Sequence, residues 1–129
     1  EIMPSLVGSE MCIRDSRSVM FGSLSGSKLG IWVAHGEGKF SLPYDEDKYN
    51  VVAKYSYDEY PGNPNGSPFA TAAICSKDGR HLAMMPHLER SIYPWNWAYY
   101  AEGRSEDEVS PWIEAFVNAR KWIEEKVKA

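Results

Sequence analysis

The sequence predicts an α/β domain, with a mixed sheet that contains one antiparallel hairpin and with a helix at the C terminus. Short apolar or alternating stretches recur along the chain, each bounded by residues that favour turns. The Asp78-Gly79 pair separates two of these stretches, as is typical of a two-strand hairpin. Towards the C terminus apolar residues recur every three or four positions, which indicates an amphipathic helix.

The composition is that of one folded domain without a marked charge. The 129 residues are 43% hydrophobic and 13% aromatic, enough for a packed core and unlike a disordered chain. The 14 basic and 18 acidic residues give a net charge of −4 without a basic block, which favours neither nucleic acid nor an anionic membrane as partner. No apolar run has the length of a transmembrane helix. Cys12 and Cys75 form no metal-ligand spacing and are expected as free thiols, which, without a visible secretory signal, favours a cytoplasmic location.

The first sixteen residues show no periodicity and no turn that joins them to the rest of the chain. Written as codons, residues 7–15 can be GTG GGC TCG GAG ATG TGT ATA AGA GAC, which resembles the transposon-end adapter of sequencing libraries. We therefore interpret residues 1–16 as translated adapter joined to a truncated reading frame, and residues 17–129 as the domain. Cys12 is then excluded as a nucleophile.

Four stretches in the first half of the domain predict strands, at residues 17–24, 28–35, 39–42 and 51–57. In the clearest of them, Leu29, Ile31 and Val33 alternate with a second apolar face, as in a buried strand. This strand runs into His35, beside two glycines that allow backbone angles other residues avoid.

The second half combines a loop, the hairpin and the helix. Residues 58–68 predict a loop, because they contain three prolines and two glycines. Residues 69–76 and 80–85 predict the hairpin strands, in which Cys75 is expected as a core or edge residue rather than a reactive thiol. Ser110 as N-cap and Pro111 at the first position predict the start of the helix. The residues predicted to dock its apolar face are Trp112, Phe116, Ala119, Ile123 and Val127.

A candidate site lies just after the second hairpin strand. Pro86 lacks a backbone N–H and ends the strand, and His87 and Glu89 come next at a spacing of two. In an extended segment that spacing places both side chains on one face. A carboxylate beside an imidazole fixes its tautomer and stabilises the imidazolium, as in a base that deprotonates a nucleophile. The alternative is a structural or surface pair.

Four stretches, in order, carry a resemblance to a known family: residues 30–38 (GIWVAHGEG), 63–67 (NPNGS), 78–90 (DGRHLAMMPHLER) and 111–116 (PWIEAF). Together they resemble the C-terminal glutaminase domain of the phosphoribosylformylglycinamidine synthases, class I glutamine amidotransferases of purine biosynthesis. The resemblance covers essentially all of residues 17–129. Members commonly have a proline where this chain has Leu88, and we expect Leu88 to point away from His87 and Glu89.

The resemblance implies the C-terminal part of a three-layer α/β domain that hydrolyses L-glutamine with a Cys-His-Glu triad. It implies His87 as general base and acid and Glu89 as the carboxylate that orients it. In this family the cysteine lies far upstream, so Cys75 does not match it and the fragment alone is expected to be inactive. ATP and Mg²⁺ belong to the synthetase portion of the parent chain, which receives the ammonia. His35 is a candidate for the glutamine pocket or the synthetase interface, and a structural role for it stays open.

Two alternatives remain open from the sequence. One is a separate glutaminase subunit that docks onto a synthetase. The other is a non-catalytic domain that binds a partner, with His87 and Glu89 as plain surface residues. In the upstream reading frame, a cysteine-bearing half preceded by a long synthetase region would support the single-chain enzyme. A short frame that begins near that half would support the separate subunit, and the absence of both would support the non-catalytic domain. Separated from that half, the fragment is expected to expose apolar surface and to be poorly soluble or to associate.

Overall fold

The computed structural model describes residues 7–15, 17–34, 38–59, 62–64, 66–97, 103 and 106–128. The described part of the chain forms five strands and one α-helix. They are β1 (Val7–Ile13), β2 (Lys28–Val33), β3 (Val51–Tyr55), β4 (Thr71–Cys75), β5 (Leu82–Met84) and α1 (Ile113–Lys128). No helix within these residues is long and apolar enough to span a bilayer.

The strands form one curled sheet in the order β2-β1-β3-β4-β5. All four pairings between neighbours are antiparallel, so the predicted mixed sheet is antiparallel in the described part. The residues after β5 return to β2, the strand at the opposite edge of the sheet, where Trp32 and His87 form an isolated antiparallel bridge. The fold class, a sheet with a hairpin and a C-terminal helix, is confirmed.

β1 corrects the expectation that residues 1–16 contain no regular element. Val7–Ile13 pairs with both β2 and β3 and lies inside the sheet. Within β1, Met11 and Ile13 are fully buried, whereas Glu10, just before Met11, is exposed. A short pattern of period two is therefore present after all. The adapter interpretation concerns the DNA behind the segment and stays a prediction.

Two predicted strands are wrong. Residues 17–24 form turns and a short 3-10 helix at Gly22–Leu24, because the buried Ser18 hydroxyl accepts the Phe21 N–H at 3.3 Å and closes a turn. Residues 39–42 form no regular element. The strand predicted at 28–35 is confirmed over Lys28–Val33, and His35 lies outside the described residues.

The loop and the hairpin are confirmed with one shift. The buried Asn63 side chain donates to the Ser67 carbonyl and accepts its N–H, both at 3.0 Å, and so closes the loop. The first hairpin strand begins only at Thr71, because Phe69 and Ala70 have positive φ angles of 58° and 53° that no strand accommodates. Across the turn, the Gly79 N–H donates to the Ser76 carbonyl at 3.0 Å.

The helix is confirmed, but its docking is only partly as predicted. The Ser110 hydroxyl accepts the Trp112 N–H at 3.3 Å, and tight i to i+3 bonds lead into the α-helix at Ile113. Trp112 and Ala115 are fully buried in the core. The predicted docking is wrong for Phe116, Ile123 and Val127, which are exposed.

Candidate functional site

His87 lies where the chain passes from the β4–β5 side of the sheet to the edge strand β2. The Met85 N–H still donates to the Ala72 carbonyl of β4, at 3.2 Å. Pro86 has no N–H to continue that ladder. The next N–H, that of His87, donates instead to the Trp32 carbonyl of β2, at 2.9 Å. The proline therefore marks the residue at which the backbone changes partner strands.

The structure brings the two predicted site residues together. His87 Nδ1 lies 2.7 Å from Glu89 Oε1. The reason differs from the predicted one: Glu89 lies in a short 3-10 helix, Leu88–Arg90, rather than in an extended segment. An extended His87 followed by this tight turn folds the carboxylate back onto the imidazole. With the Nδ1 proton donated to Glu89, Nε2 is the nitrogen that is able to accept a proton.

Leu88 anchors the turn that carries the pair. Its side chain is buried in the core, whereas 33% of the His87 and 65% of the Glu89 side chain remain exposed. Leu88 thus points away from the pair, as we expected for the residue that replaces the commoner proline. Burial of the middle residue leaves its two neighbours facing the surface.

The electrostatics of the pair favour an ionised Glu89. Partial burial alone would raise the pKa of this carboxyl. The hydrogen bond from His87 acts in the opposite direction, helped by a backbone N–H and by the charges of His87 and Arg90, and the pKa of Glu89 lies below its usual value. An ionised carboxylate on Nδ1 is the form that stabilises a protonated imidazole.

An open, largely apolar cleft of about 340 Å³ adjoins the pair. His87 and Glu89 form its polar part. The remaining lining residues are Met20, Leu82, Met84, Met85, Pro86, Leu88 and Phe116. A base beside an apolar recess is an arrangement suited to proton transfer with a group brought into that recess.

Neither described cysteine lines this cleft. Cys75 is buried in β4, and that burial raises the pKa of its thiol, which disfavours the thiolate a nucleophile needs. Cys12, on β1, lines a separate cleft. In the described ranges, no three His, Cys, Asp or Glu side chains are arranged to hold a metal ion. The structure therefore gathers the predicted base and its carboxylate, without a cysteine thiol beside them among the residues it describes.

Sequence reasoning missed Trp32. Its carbonyl fixes the backbone of His87, and its indole Nε1 donates to the Asn96 carbonyl at 2.6 Å, a few residues after Glu89. Carbonyl partners leave no mark on a sequence, since every residue carries one.

Comparisons with known proteins place these features in a family. Residues 7–123 match the family model for the CobB/CobQ-like glutamine amidotransferase domain. A probable phosphoribosylformylglycinamidine synthase, chloroplastic/mitochondrial, of Arabidopsis thaliana is 42% identical over 90% of this chain, and the human phosphoribosylformylglycinamidine synthase 39% over 81%. The match spans only 9% of the length of each. The structure of PurLQS from Thermotoga maritima shares the fold, with a TM-score of 0.67 at 21% identity, over 92% of this chain and 48% of that one.

Proposed function

The chain belongs to the CobB/CobQ-like glutamine amidotransferase domain family, and we propose that it supplies the base of the glutaminase site in a phosphoribosylformylglycinamidine synthase. It is homologous to the glutaminase region of such synthases. The observation that carries the proposal is the 2.7 Å contact between His87 Nδ1 and Glu89 Oε1 beside an open cleft.

In the proposed reaction, His87 Nε2 takes the proton of a cysteine thiol that another part of the domain brings to the cleft. The thiolate attacks the amide carbon of glutamine, a C–S bond forms, and His87 returns the proton to the nitrogen as the C–N bond breaks and ammonia leaves. Water then attacks the thioester with His87 again taking its proton; the C–S bond breaks, His87 returns that proton to the cysteine sulfur, and glutamate is released. Glu89 keeps the ring oriented and stabilises its protonated form.

The remaining steps of the proposal belong to the parent protein. Ammonia passes to a synthetase portion, where ATP with Mg²⁺ activates the amide oxygen of formylglycinamide ribonucleotide. The partners of this domain are thus glutamine and that synthetase portion, with no role for nucleic acid or a membrane. We also propose a cytoplasmic location, in contrast to the Arabidopsis relative, which is named as chloroplastic/mitochondrial.

The test is a comparison of two nitrogen sources in the full-length enzyme that contains this domain. We expect His87→Ala to lower glutamine-dependent amidation by about 10²- to 10⁴-fold, the usual contribution of a positioned acid–base group. Activity with added ammonium chloride should be unchanged, because ammonia bypasses the glutaminase site. Glu89→Gln should show a smaller loss in the same direction.

His81→Ala provides a matched control. His81 is an exposed histidine that precedes β5 and does not line the cleft. Its replacement should leave both activities unchanged. If glutamine-dependent turnover survives His87→Ala, the assigned role of His87 is wrong, and the non-catalytic alternative gains support.

A further inference from the structure

The outer edge of β2 receives an unusual set of side-chain donors. β1 covers one edge of β2, and the other edge would be free in an ordinary sheet. On that free side the indole Nε1 atoms of Trp97 and Trp112 both donate to one carbonyl, that of Gly30, at 2.7 and 2.8 Å. A carbonyl oxygen has two lone pairs, so this one is fully satisfied within the core.

The next outward-facing carbonyl on the same strand holds the candidate base. Gly30 and Trp32 are two residues apart, and carbonyls at that spacing face the same edge of a strand. The Trp32 carbonyl accepts the His87 N–H at 2.9 Å. The outer edge of β2 therefore holds the segment from His87 to Trp97 at both ends. A backbone hydrogen bond holds its start, at His87, and the indole of Trp97 holds its end.

Between these two fixed points the segment has little structure of its own. It consists of two single-turn 3-10 helices, Leu88–Arg90 and Pro94–Asn96. Its middle is tied to the start of α1, since the Ser110 N–H donates to the Ile92 carbonyl at 2.6 Å and the Ser110 hydroxyl donates to the Ser91 carbonyl. Trp112, two residues later, fixes that start on Gly30.

We propose that Trp97 and Trp112 are positioning residues of the glutaminase site, which act through the Gly30 carbonyl to hold the His87–Glu89 turn against β2. This inference rests on the proposed function and deepens it. Neither indole lines the cleft beside the pair. Their effect is on where the base sits, and a displacement of about 1 Å at a reacting group can cost a factor of 10² in rate.

The shared acceptor makes a specific forecast for the two indoles. When one N–H is removed, the other still binds Gly30 and the segment keeps one of its two ties to that carbonyl. When both are removed, the carbonyl is left buried without these donors, and the turn keeps only its remaining bonds. The two substitutions should therefore not be independent, and the double variant should lose more than the product of the single losses.

The experiment uses the full-length enzyme with Trp97→Phe, Trp112→Phe and the double variant, each of which keeps an aromatic ring and loses the N–H. Trp95→Phe is the matched control, because Trp95 is 80% exposed and its described contact is a stacking one with Tyr93. For each protein, kcat and KM are measured with glutamine, kcat with ammonium chloride, and the thermal midpoint alongside.

We expect the double variant to lower glutamine kcat by about tenfold or more, with an unchanged KM for glutamine and an unchanged rate with ammonium. Trp95→Phe should change none of these values. An unchanged glutamine kcat in the double variant overturns the inference. So does an equal fall of both activities together with the thermal midpoint, since that is the result of a purely structural role. Should the double variant not fold, the single variants decide: each should lower glutamine kcat by a smaller factor at an unchanged rate with ammonium, and an unchanged glutamine kcat in both overturns the inference.

The outcome separates this inference from the proposed function. If His87→Ala abolishes glutamine-dependent activity and the indole variants do not lower it, only the positioning role is wrong. If the wild-type enzyme shows no glutamine-dependent activity, or His87→Ala retains it, both proposals fall together.

Discussion

Apolar residues at the start of α1 and in its last turns meet opposite surroundings. Trp112 and Ala115 are fully buried, whereas Ile123 and Val127 are 55% and 79% exposed. The N-terminal half of the helix is also tied to other elements, for example by Asn118 Nδ2, which donates to the Met20 carbonyl at 3.0 Å. Periodicity therefore identifies the apolar face of a helix, whereas only the rest of the fold decides how much of that face is used.

The largest expected effect tests that contrast directly. Trp112→Ala removes a fully buried indole and its hydrogen bond to Gly30, and we expect the free energy of unfolding to fall by about 3–5 kcal/mol. Val127→Ala, on the same helix face, should change it by less than about 0.5 kcal/mol. Urea unfolding of the protein that contains this domain measures both. A comparable loss in the two variants would mean that the last turns are covered in that protein.

The same contrast between a buried and an exposed position occurs between neighbours in the hairpin turn. Gly79 is buried against the segment before the first 3-10 helix, and its carbonyl accepts the Val19 N–H at 2.9 Å. Asp78 beside it is exposed and bonds with Ser76 within the turn and with Arg80. A turn that looks like solvent-exposed punctuation in the sequence is thus packed on one side.

Gly79→Ala probes the packed side of this turn. Gly79 has a φ angle of +75°, and a Cβ added there would lie 2.0 Å from the Arg17 carbonyl oxygen. We expect a loss of about 3 kcal/mol in the free energy of unfolding, from left-handed strain plus the clash. Gly26→Ala is the control, because Gly26 has a φ angle of +86° with open space around it and should lose only the strain, about 1 kcal/mol. Equal losses would show that the contact with residue 17 yields without cost.

The elements that the sequence predicted correctly are those whose signal is local. Three such elements are the alternation at Lys28–Val33, the Asp-Gly turn and the N-cap of α1. Each is indicated by residues that lie only a few positions apart in the sequence. The strand predicted at residues 17–24 failed because a single serine hydroxyl closes a turn there, which competes with the extended form. The curl of the sheet could not be predicted, since the bridge between Trp32 and His87 joins positions that share no sequence pattern.

The candidate site was predictable only in its side chains. The spacing of His87 and Glu89, together with the resemblance to glutaminase domains, was enough to single out the pair. The turn that brings them into contact, and the carbonyls of β2 that hold it, were not, because the backbone groups of one strand look like those of any other. The catalytic roles of both residues stay a prediction.

Because β1 lies within residues 1–16, the adapter interpretation makes a prediction about the gene that encodes this strand. If residues 1–16 are translated adapter, sequencing genomic DNA and full-length transcripts should show codons that differ from the present ones before codon 17. The central strand between β2 and β3 would then be made by other residues, and we expect apolar ones where the fully buried Met11 and Ile13 stand. The family match that begins at residue 7 points the other way. Genomic DNA that encodes residues 7–17 as one uninterrupted stretch would show the adapter interpretation to be wrong.

The smallest expected effect lies on the exposed side of the hairpin turn. Hydrogen bonds from the Ser76 hydroxyl and then from the Arg80 side chain hold the pKa of Asp78 well below its ordinary value of 3.8. A carboxyl with a lowered pKa in the folded state stabilises it at pH values above the ordinary pKa, and this contribution is lost as the pH falls through the lower folded value. Asp78→Asn should therefore be slightly less stable than the wild type at pH 7, and the two should converge in strong acid.

Thermal midpoints of the wild type and of Asp78→Asn, measured from pH 7 down to strong acid, give the difference in stability between the two proteins. Because Asp78 is exposed, added salt should also reduce its advantage at pH 7, in contrast to the loss at Gly79, which is steric and should not respond to salt. A difference between wild type and Asp78→Asn that stays constant with pH would mean that the amide makes the same bonds as the carboxylate. The charge of Asp78 would then not stabilise the turn. Asp78 and Gly79 would both act through geometry, and the contrast between them would be one of exposure and not of charge.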